Sequence, residues 1–160
     1  MMSAIWAAFT MLFLIGIVTD ARSYRIPNWV SLALAGLFVV AVAFSGEAAV
    51  SFWPHLATGA AILAVGFALY KFTGLGAGDA KLAAAAALWA GPWGLYVLTF
   101  TLALAMSLLA VVLVVARRVP VGAAPRPKIF QKGAPVPLGI AIGFAAIAAS
   151  VRFEASLWAF

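Results

Sequence analysis

The chain has 160 residues, of which 67% are hydrophobic and only 9% are charged, whereas soluble domains carry roughly 25% charged residues. This composition excludes an ordinary soluble domain and predicts a membrane protein. A crossing needs about 20 apolar residues, so this length holds about six crossings joined by short loops. The net charge of +6 would suggest nucleic-acid binding in a soluble protein. Here the basic residues lie between apolar segments, where they orient helices, and we expect no nucleic-acid partner.

Six apolar segments follow one another along the chain and predict an all-α, polytopic membrane fold with six transmembrane helices. They run from Ala4 to Val18, Trp29 to Phe44, Phe52 to Tyr70, Ala80 to Ala90, Trp93 to Ala116 and Ala134 to Val151. The first segment lacks a basic start and its positive charges follow it, so we interpret it as a retained helix rather than a signal peptide. Residues 1–160 are therefore predicted to form a single transmembrane domain.

The basic residues predict the orientation of these helices. Nine of the ten fall in connections on one side, namely Arg22, Arg25, Lys71, Lys81, Arg117, Arg118, Arg126, Lys128 and Lys132. Loops rich in Lys and Arg face the cytoplasm. This side is therefore predicted to be cytoplasmic, which puts the N-terminus outside.

The fourth segment is short for a membrane crossing. Only eleven residues lie between Asp79 and Gly91, which is about 17 Å of helix and less than the hydrocarbon core. Either the helix begins near Phe72 with the following glycines sunk below the cytoplasmic surface, or the Gly91-Pro92 turn is submerged on the far side. We favour the first alternative, because irregular backbone is tolerated at membrane depth where it lines a cavity.

Metal and thiol chemistry are not expected. The chain has no cysteine and a single histidine, His55. Disulfides and thiolate zinc sites are therefore excluded, and one histidine cannot form a metal cluster alone. We expect no metal and no cofactor, and we assign His55 a structural role near the outer side.

The two aspartates of the chain, Asp20 and Asp79, both fall at predicted cytoplasmic helix ends and can meet if predicted helices 1 and 4 pack together. Two close carboxylates in a partly desolvated site cannot both ionise easily, so one tends to hold a proton while the other is an anion. Such a pair can deprotonate a water for attack on a peptide carbonyl and protonate the departing amine.

Other interpretations of the two aspartates stay open at this point. Alone, Asp79 could simply cap its helix, and Asp20 could be a solvated residue beside Arg22 or Arg25. The same pair could also serve a small proton- or cation-coupled transporter or channel, because intramembrane carboxylates commonly mark ion paths. A purely structural assembly subunit would leave the shared location of both aspartates unexplained.

The segments around the aspartates carry a family resemblance. Asp20 is followed by Ala-Arg-Ser-Tyr-Arg and then Ile26-Pro27-Asn28, and the segment around Asp79 has the pattern GxGDxKL. Together with Pro137-Leu138-Gly139-Ile140-Ala141 at the sixth segment, these resemble the GxGD membrane aspartic proteases. The resemblance is to the type IV prepilin peptidases, and among them to the short form associated with Flp, or tight-adherence, pili.

This resemblance implies a function and a location. Asp20 and Asp79 are then the catalytic residues of an endopeptidase in the bacterial inner membrane, which removes the leader of a pilin-like precursor at the cytoplasmic face. An archaeal preflagellin-type precursor is an alternative substrate. Larger members insert a domain with paired CxxC motifs and also methylate the new N-terminus. Here that connection is only about nine residues long, without cysteine, so no separate methyltransferase or zinc domain is expected.

Residues next to the aspartates are candidates for shaping the site. We expect Gly76 and Gly78 to let a substrate backbone approach the second aspartate, since glycine has no side chain to block it. Lys81 is expected to reach lipid phosphate. Pro27 and Asn28 are typical of a helix start.

Gly139 and Gly143 have the small-xxx-small spacing that allows close helix packing. We assign them to the fold rather than to the site. The predicted partners of the chain are the precursor peptide and the lipid bilayer, and no oligomeric state is predicted.

Overall fold

The computed structural model describes residues 2–45, 48–73, 75–118, 128–131 and 133–157. In these ranges all regular secondary structure is helical, which confirms the all-α class there. The helices are α1 (Met2–Ser23), α2 (Asn28–Ser45), α3 (Ala48–Thr73), α4 (Ala77–Arg118) and α5 (Leu138–Leu157), with a 3₁₀ turn at Lys128–Phe130. Arg126 and Lys132 of the predicted basic loop lie outside the described residues.

The connection between α1 and α2 is short and well defined. Tyr24 has a left-handed backbone, with φ of 53°, and its amide donates a 2.9 Å hydrogen bond to the carbonyl of Asp20. This bond ends α1. Pro27 then precedes α2, and its carbonyl accepts a 3.1 Å bond from the amide of Val30, so α2 begins at Asn28 and Pro27, rather than the expected Asn28, has the N-cap position.

Helix α4 is 42 residues long but is interrupted at Gly91, whose φ of 61° and ψ of −176° are not helical. The two halves, 77–90 and 92–118, fold back on each other. Ala83 of the first half and Leu102 of the second line the same small cavity, although they would lie about 28 Å apart in a continuous helix. The halves correspond to predicted helices 4 and 5. The expected helix start near Phe72 is wrong, because α3 continues to Thr73 and α4 begins at Ala77.

His55 of α3 stabilises the interruption. Pro92 has no amide hydrogen to donate to the carbonyl of Leu88, four residues earlier. The Nδ1 of His55 lies 2.8 Å from that carbonyl oxygen instead, and its ring stacks on Phe38 at a centroid distance of 5.4 Å. A carbonyl can only accept, so Nδ1 is the protonated nitrogen. His55 therefore has the structural role expected from the sequence.

An aromatic core joins α1, α2 and the first half of α4 at the Gly91 end of the bundle. Trp89 is fully buried, and its indole N–H donates a 3.0 Å bond to the carbonyl of Leu34. The ring of Trp89 contacts Phe9 at 4.8 Å, Trp6 at 5.4 Å and Phe38 at 5.7 Å between centroids. Residues 9 and 89 lie about 15 Å along their helices from the two aspartates. The core therefore sets how α1 and α4 meet at their other ends.

The helices have the length and composition of an integral membrane protein. Three candidate spans, Met2–Ser23, Phe52–Thr73 and Ala77–Arg118, are long and apolar enough to cross a bilayer, and two shorter helices, Asn28–Phe44 and Leu138–Ser150, are apolar as well. Large apolar side chains such as Phe72, Tyr96 and Phe100 point outward. The predicted six crossings and the outer N-terminus stay predictions.

Candidate active site

Three helix ends meet at the aspartates. Asp20 lies in the last turn of α1, Asp79 in the first turn of α4 and Gly139 in the first turn of α5. Asp20 is only 4% exposed, and Asp79 is half-buried. The two carboxyl groups are close enough to interact electrostatically, and the backbone amide of Gly139 lies within hydrogen-bonding reach of both. The structure thus brings together two carboxylates that are 59 residues apart in the sequence.

The carboxylates accept hydrogen bonds from helix N-termini. The first amides of a helix have no partner within the helix. In α5, the amide of Ile140 donates a 3.2 Å bond to Oδ2 of Asp20, and the Gly139 amide adds a second donor. These donors orient the Asp20 side chain toward the start of α5, where the helix dipole also favours a carboxylate.

Asp79 is held by its own helix. The carbonyl of Gly76 accepts a 3.1 Å bond from the amide of Ala80, so Gly76 has the position of an N-cap and Asp79 is the third helical residue. Its carboxylate lies against Gly76, within reach of the Gly76 amide, as an acidic side chain does at this position of a capping box. Asp79 can therefore cap α4 and pair with Asp20 at the same time.

Gly139 belongs to the site as well as to the helix packing. A Cβ built on this residue would lie 2.9 Å from Oδ2 of Asp20 and 3.0 Å from its Cγ, so a side chain would displace the carboxylate. Gly143 packs as predicted, with α1 residue Ile17 against it. The sequence interpretation missed the role of Gly139 in the site. The sequence feature that could have indicated this role is a glycine two residues after Pro137, at the start of a helix.

The chain's own Ile26 fills the space next to Gly78. A Cβ built on Gly78 would lie 3.2 Å from Cβ of Ile26. One built on Gly76 would meet the carboxylate of Asp79. The two glycines therefore make room for Ile26 and for the Asp79 side chain, and a backbone that approached over Gly78 would first meet Ile26.

The comparison with known proteins identifies the family. The sequence matches the type IV leader peptidase family over residues 7–115, a segment that includes both aspartates. The chain belongs to the type IV leader peptidase family. Searches of the curated proteins and of the solved structures gave no match. The family match supports a peptidase, as the sequence resemblance implied, and gives no support to a transporter or channel.

In this leader peptidase, Lys81 and Asn28 join the starts of two helices. The Nζ of Lys81 donates a 2.8 Å hydrogen bond to Oδ1 of Asn28, which ties the first turn of α4 to the first turn of α2. The expected contact of Lys81 with lipid phosphate stays a prediction. Across the described ranges, Lys81 and Asn28 hydrogen-bond to each other and not to a carboxylate, and the site-shaping role expected of them and of Pro27 stays a prediction.

Among the described residues, the side chains at this site that could coordinate a metal ion are two carboxylates, and they are not part of a larger metal-binding cluster. Within the residues that the structure describes, no group of three or more His, Cys, Asp or Glu side chains could hold a metal ion. Asp20 and Asp79 therefore meet as a pair of carboxyl groups, surrounded by backbone amides. A paired-carboxyl site of this kind can exchange protons with a water and with a leaving group.

Proposed function

We propose that this peptidase is an aspartic endopeptidase that removes the leader of prepilin-like precursors at the cytoplasmic face of the bacterial inner membrane. Asp20 and Asp79 act on a water as a general acid/base pair. The observation that carries this proposal is the meeting of the chain's two aspartates around one backbone amide, that of Gly139. Family membership supplies the reaction class, since the matched residues include both carboxylates.

The geometry supports hydrolysis by a pair of carboxyl groups. Two adjacent carboxyl groups do not readily carry two negative charges, so one is an anion and the other keeps a proton. The anion takes a proton from the water, whose oxygen attacks the peptide carbonyl. The protonated partner gives its proton to the leaving amine as the C–N bond breaks. The amides of Gly139 and Ile140 keep Asp20 oriented during these transfers.

The short α1–α2 connection supports the assignment of this chain to the short form of the family. Residues 24–27 are all that separate the two helices, which leaves no room for an inserted domain. The proposed activity is therefore peptide cleavage without methylation, on precursors of the Flp type.

The distribution of charge supports a cytoplasmic active site. Six described basic residues lie at the end of the bundle that carries the aspartates, namely Arg22, Arg25, Lys71, Lys81, Arg117 and Arg118, whereas Arg152 lies in the last part of α5. The positive-inside rule assigns such an end to the cytoplasm. Because α4 folds back at Gly91, the described residues form six long helical segments that alternate between the two ends, which supports six crossings with the N-terminus outside.

The test is cleavage of a purified prepilin-like precursor by the reconstituted protein. Asp20→Asn and Asp79→Asn are each expected to lower the cleavage rate by roughly 10²–10⁴-fold, the usual contribution of a general acid or base. Glu154→Gln, which removes a carboxyl elsewhere in the sequence, should cleave at the wild-type rate. Unfolding curves in detergent check that each variant is folded.

Wild-type rates in either aspartate variant would refute the carboxyl-pair mechanism. If the wild type leaves prepilin-like precursors intact but cleaves a preflagellin-type leader, the proposed substrate is wrong and the peptidase mechanism stands.

A further inference from the structure

We propose that Ile26 is a specificity-determining residue of this site. Its side chain forms a fixed apolar wall beside the two carboxylates, so that only a small substrate side chain fits next to the bond they cleave. This inference rests on the proposed function of Asp20 and Asp79 and adds the residue that limits their substrate.

The contacts of Ile26 put it at the carboxylates. The same hypothetical Cβ of Gly139 that would meet the Asp20 carboxylate would also lie 2.7 Å from Cδ1 of Ile26. On the other side, Cβ of Ile26 lies against Gly78, the residue before Asp79. Ile26 therefore bridges the two glycines that flank the carboxyl pair, and it fills the volume that their missing side chains leave open.

The backbone on the N-terminal side of Ile26 is anchored. Tyr24 is the only non-glycine residue with positive φ among those described, a conformation that needs support from its surroundings. Its amide bonds to the carbonyl of Asp20 at 2.9 Å, and its hydroxyl donates a 3.4 Å bond to the carbonyl of Pro135, just before α5. Arg117 donates a 3.2 Å bond to the same carbonyl.

The C-terminal side is anchored too. Ile26 precedes Pro27, which restricts Ile26 to extended backbone. Asn28 then begins α2 and is tied to Lys81, two residues after Asp79. With anchors two residues away on each side, Ile26 is held in place as a wall. It is half-buried, so part of its surface stays exposed.

An apolar wall of this kind selects substrates by the size of the side chain next to the scissile bond. A substrate side chain next to the scissile bond must fit between Ile26 and the carboxylates while its carbonyl stays within reach of the attacking water. Each extra methylene that does not fit in such a pocket costs about 10–200-fold in kcat/KM. Glycine or alanine at this substrate position is therefore favoured over valine or leucine.

The experiment compares Ile26→Ala and Ile26→Val with a matched control, Ile147→Ala. Ile147 is also a half-buried isoleucine packed against the core, but it lies two turns beyond Gly139 in α5. Each enzyme is given precursors that carry Gly, Ala, Val or Leu on either side of the scissile bond. At one of these two positions, Ile26→Ala is expected to raise kcat/KM for Val and Leu relative to Gly by about 10-fold or more. Ile26→Val should show a smaller rise, and the control should keep the wild-type ratio.

Two outcomes would overturn the proposal. The first is an unchanged Leu-to-Gly ratio in both Ile26 variants. The second is an equal acceleration of all precursors by Ile26→Ala, which would make Ile26 a movable cover rather than a wall. A wild-type enzyme that cleaves no precursor would instead refute the proposed function itself.

A labelling measurement tests the position of Ile26 without relying on cleavage. A water-soluble carbodiimide modifies accessible carboxyl groups, and mass spectrometry reports the modified fraction of Asp20 and Asp79. Ile26→Ala is expected to increase this fraction several-fold over Ile147→Ala. Equal labelling in the two variants would show that Ile26 does not wall off the carboxylates.

Discussion

Asp79 illustrates how one side chain serves both fold and chemistry. It completes a capping interaction with the Gly76 amide and faces Asp20 across the Gly139 amide. An asparagine keeps an oxygen that can accept the capping bond, but it cannot exchange the proton. Loss of cleavage in Asp79→Asn with an unchanged unfolding curve would therefore separate the two roles.

At Gly139, we expect Gly139→Ala to lower both activity and stability. The added methyl group would press on Asp20 and Ile26, and overpacking of this kind costs about 1–3 kcal/mol. Displacement of the carboxylate by a fraction of an ångström to 1 Å should reduce cleavage by up to about 10²-fold. The measurements are the cleavage rate and denaturant unfolding in detergent.

Gly36→Ala is the matched control for this prediction. Gly36 lies within α2, and a Cβ there would have nothing within 4 Å. Alanine should leave cleavage unchanged and stabilise the exposed helix by up to about 1 kcal/mol. Equal effects of the two substitutions on cleavage would mean that Gly139 does not shape the site.

At the scale of the elements, the interruption in α4 is the feature that turns one long helix into a hairpin. Gly91 combines positive φ with nearly extended ψ, a region open almost only to glycine. A Cβ there would also collide with the imidazole of His55. The proline that follows removes a helix hydrogen bond, and His55 supplies the missing donor for Leu88. Gly91, Pro92 and His55 together therefore form and stabilise this turn.

From the contacts of this turn, we predict how two substitutions change the free energy of unfolding. Gly91→Ala should cost about 1–3 kcal/mol in backbone strain, with a further ~1–3 kcal/mol from the collision with His55. His55→Phe keeps an aromatic ring against Phe38 but leaves the Leu88 carbonyl without its donor, at a cost of about 1–3 kcal/mol. Denaturant unfolding in detergent measures both. If Gly91→Ala proves as stable as Gly36→Ala, the turn does not depend on glycine.

At the scale of the whole molecule, the bundle has two different ends. One end carries the aromatic core and the Gly91 turn, and the other carries the carboxylates, the three converging helix ends and the basic residues Arg22, Arg25, Lys71, Lys81, Arg117 and Arg118. The core packs α1 against α4 by burying large rings, and this packing brings the two aspartates together about 15 Å away. The residues that stabilise the fold and those of the proposed chemistry therefore lie at opposite ends of the bundle.

The two ends predict opposite accessibilities across the membrane. The chain has no cysteine, so a single introduced cysteine carries the only thiol. Phe72 at the carboxylate end is 79% exposed and Trp93 at the Gly91 end is 67% exposed, which makes both positions tolerant of substitution. A membrane-impermeant maleimide should label Trp93→Cys in intact spheroplasts and Phe72→Cys only in inverted vesicles. The reverse pattern would put the N-terminus and the carboxylates on the opposite faces from those proposed.

The sequence by itself determined the properties that depend on composition and local order. Its apolar content predicts a membrane protein, its apolar segments match the helical segments of the structure, and its scarcity of acidic residues points to Asp20 and Asp79. Asn28 at the start of α2 was also predictable, because helix-start chemistry is local. The single-domain organisation of residues 1–160 stays a prediction.

The residues that surround the aspartates could be identified only from the folded bundle. The Ile140 amide reaches Asp20 across 120 positions of sequence, and Lys81 reaches Asn28 across 53. The place of Ile26 between Gly78 and Gly139 likewise depends on how three helices meet. Hydropathy and motif spacing carry no information about such contacts, because these contacts arise from packing between segments that are distant in the chain. The aspartates could be found one at a time from the sequence, but their shared amide and their apolar neighbour exist only in the folded bundle.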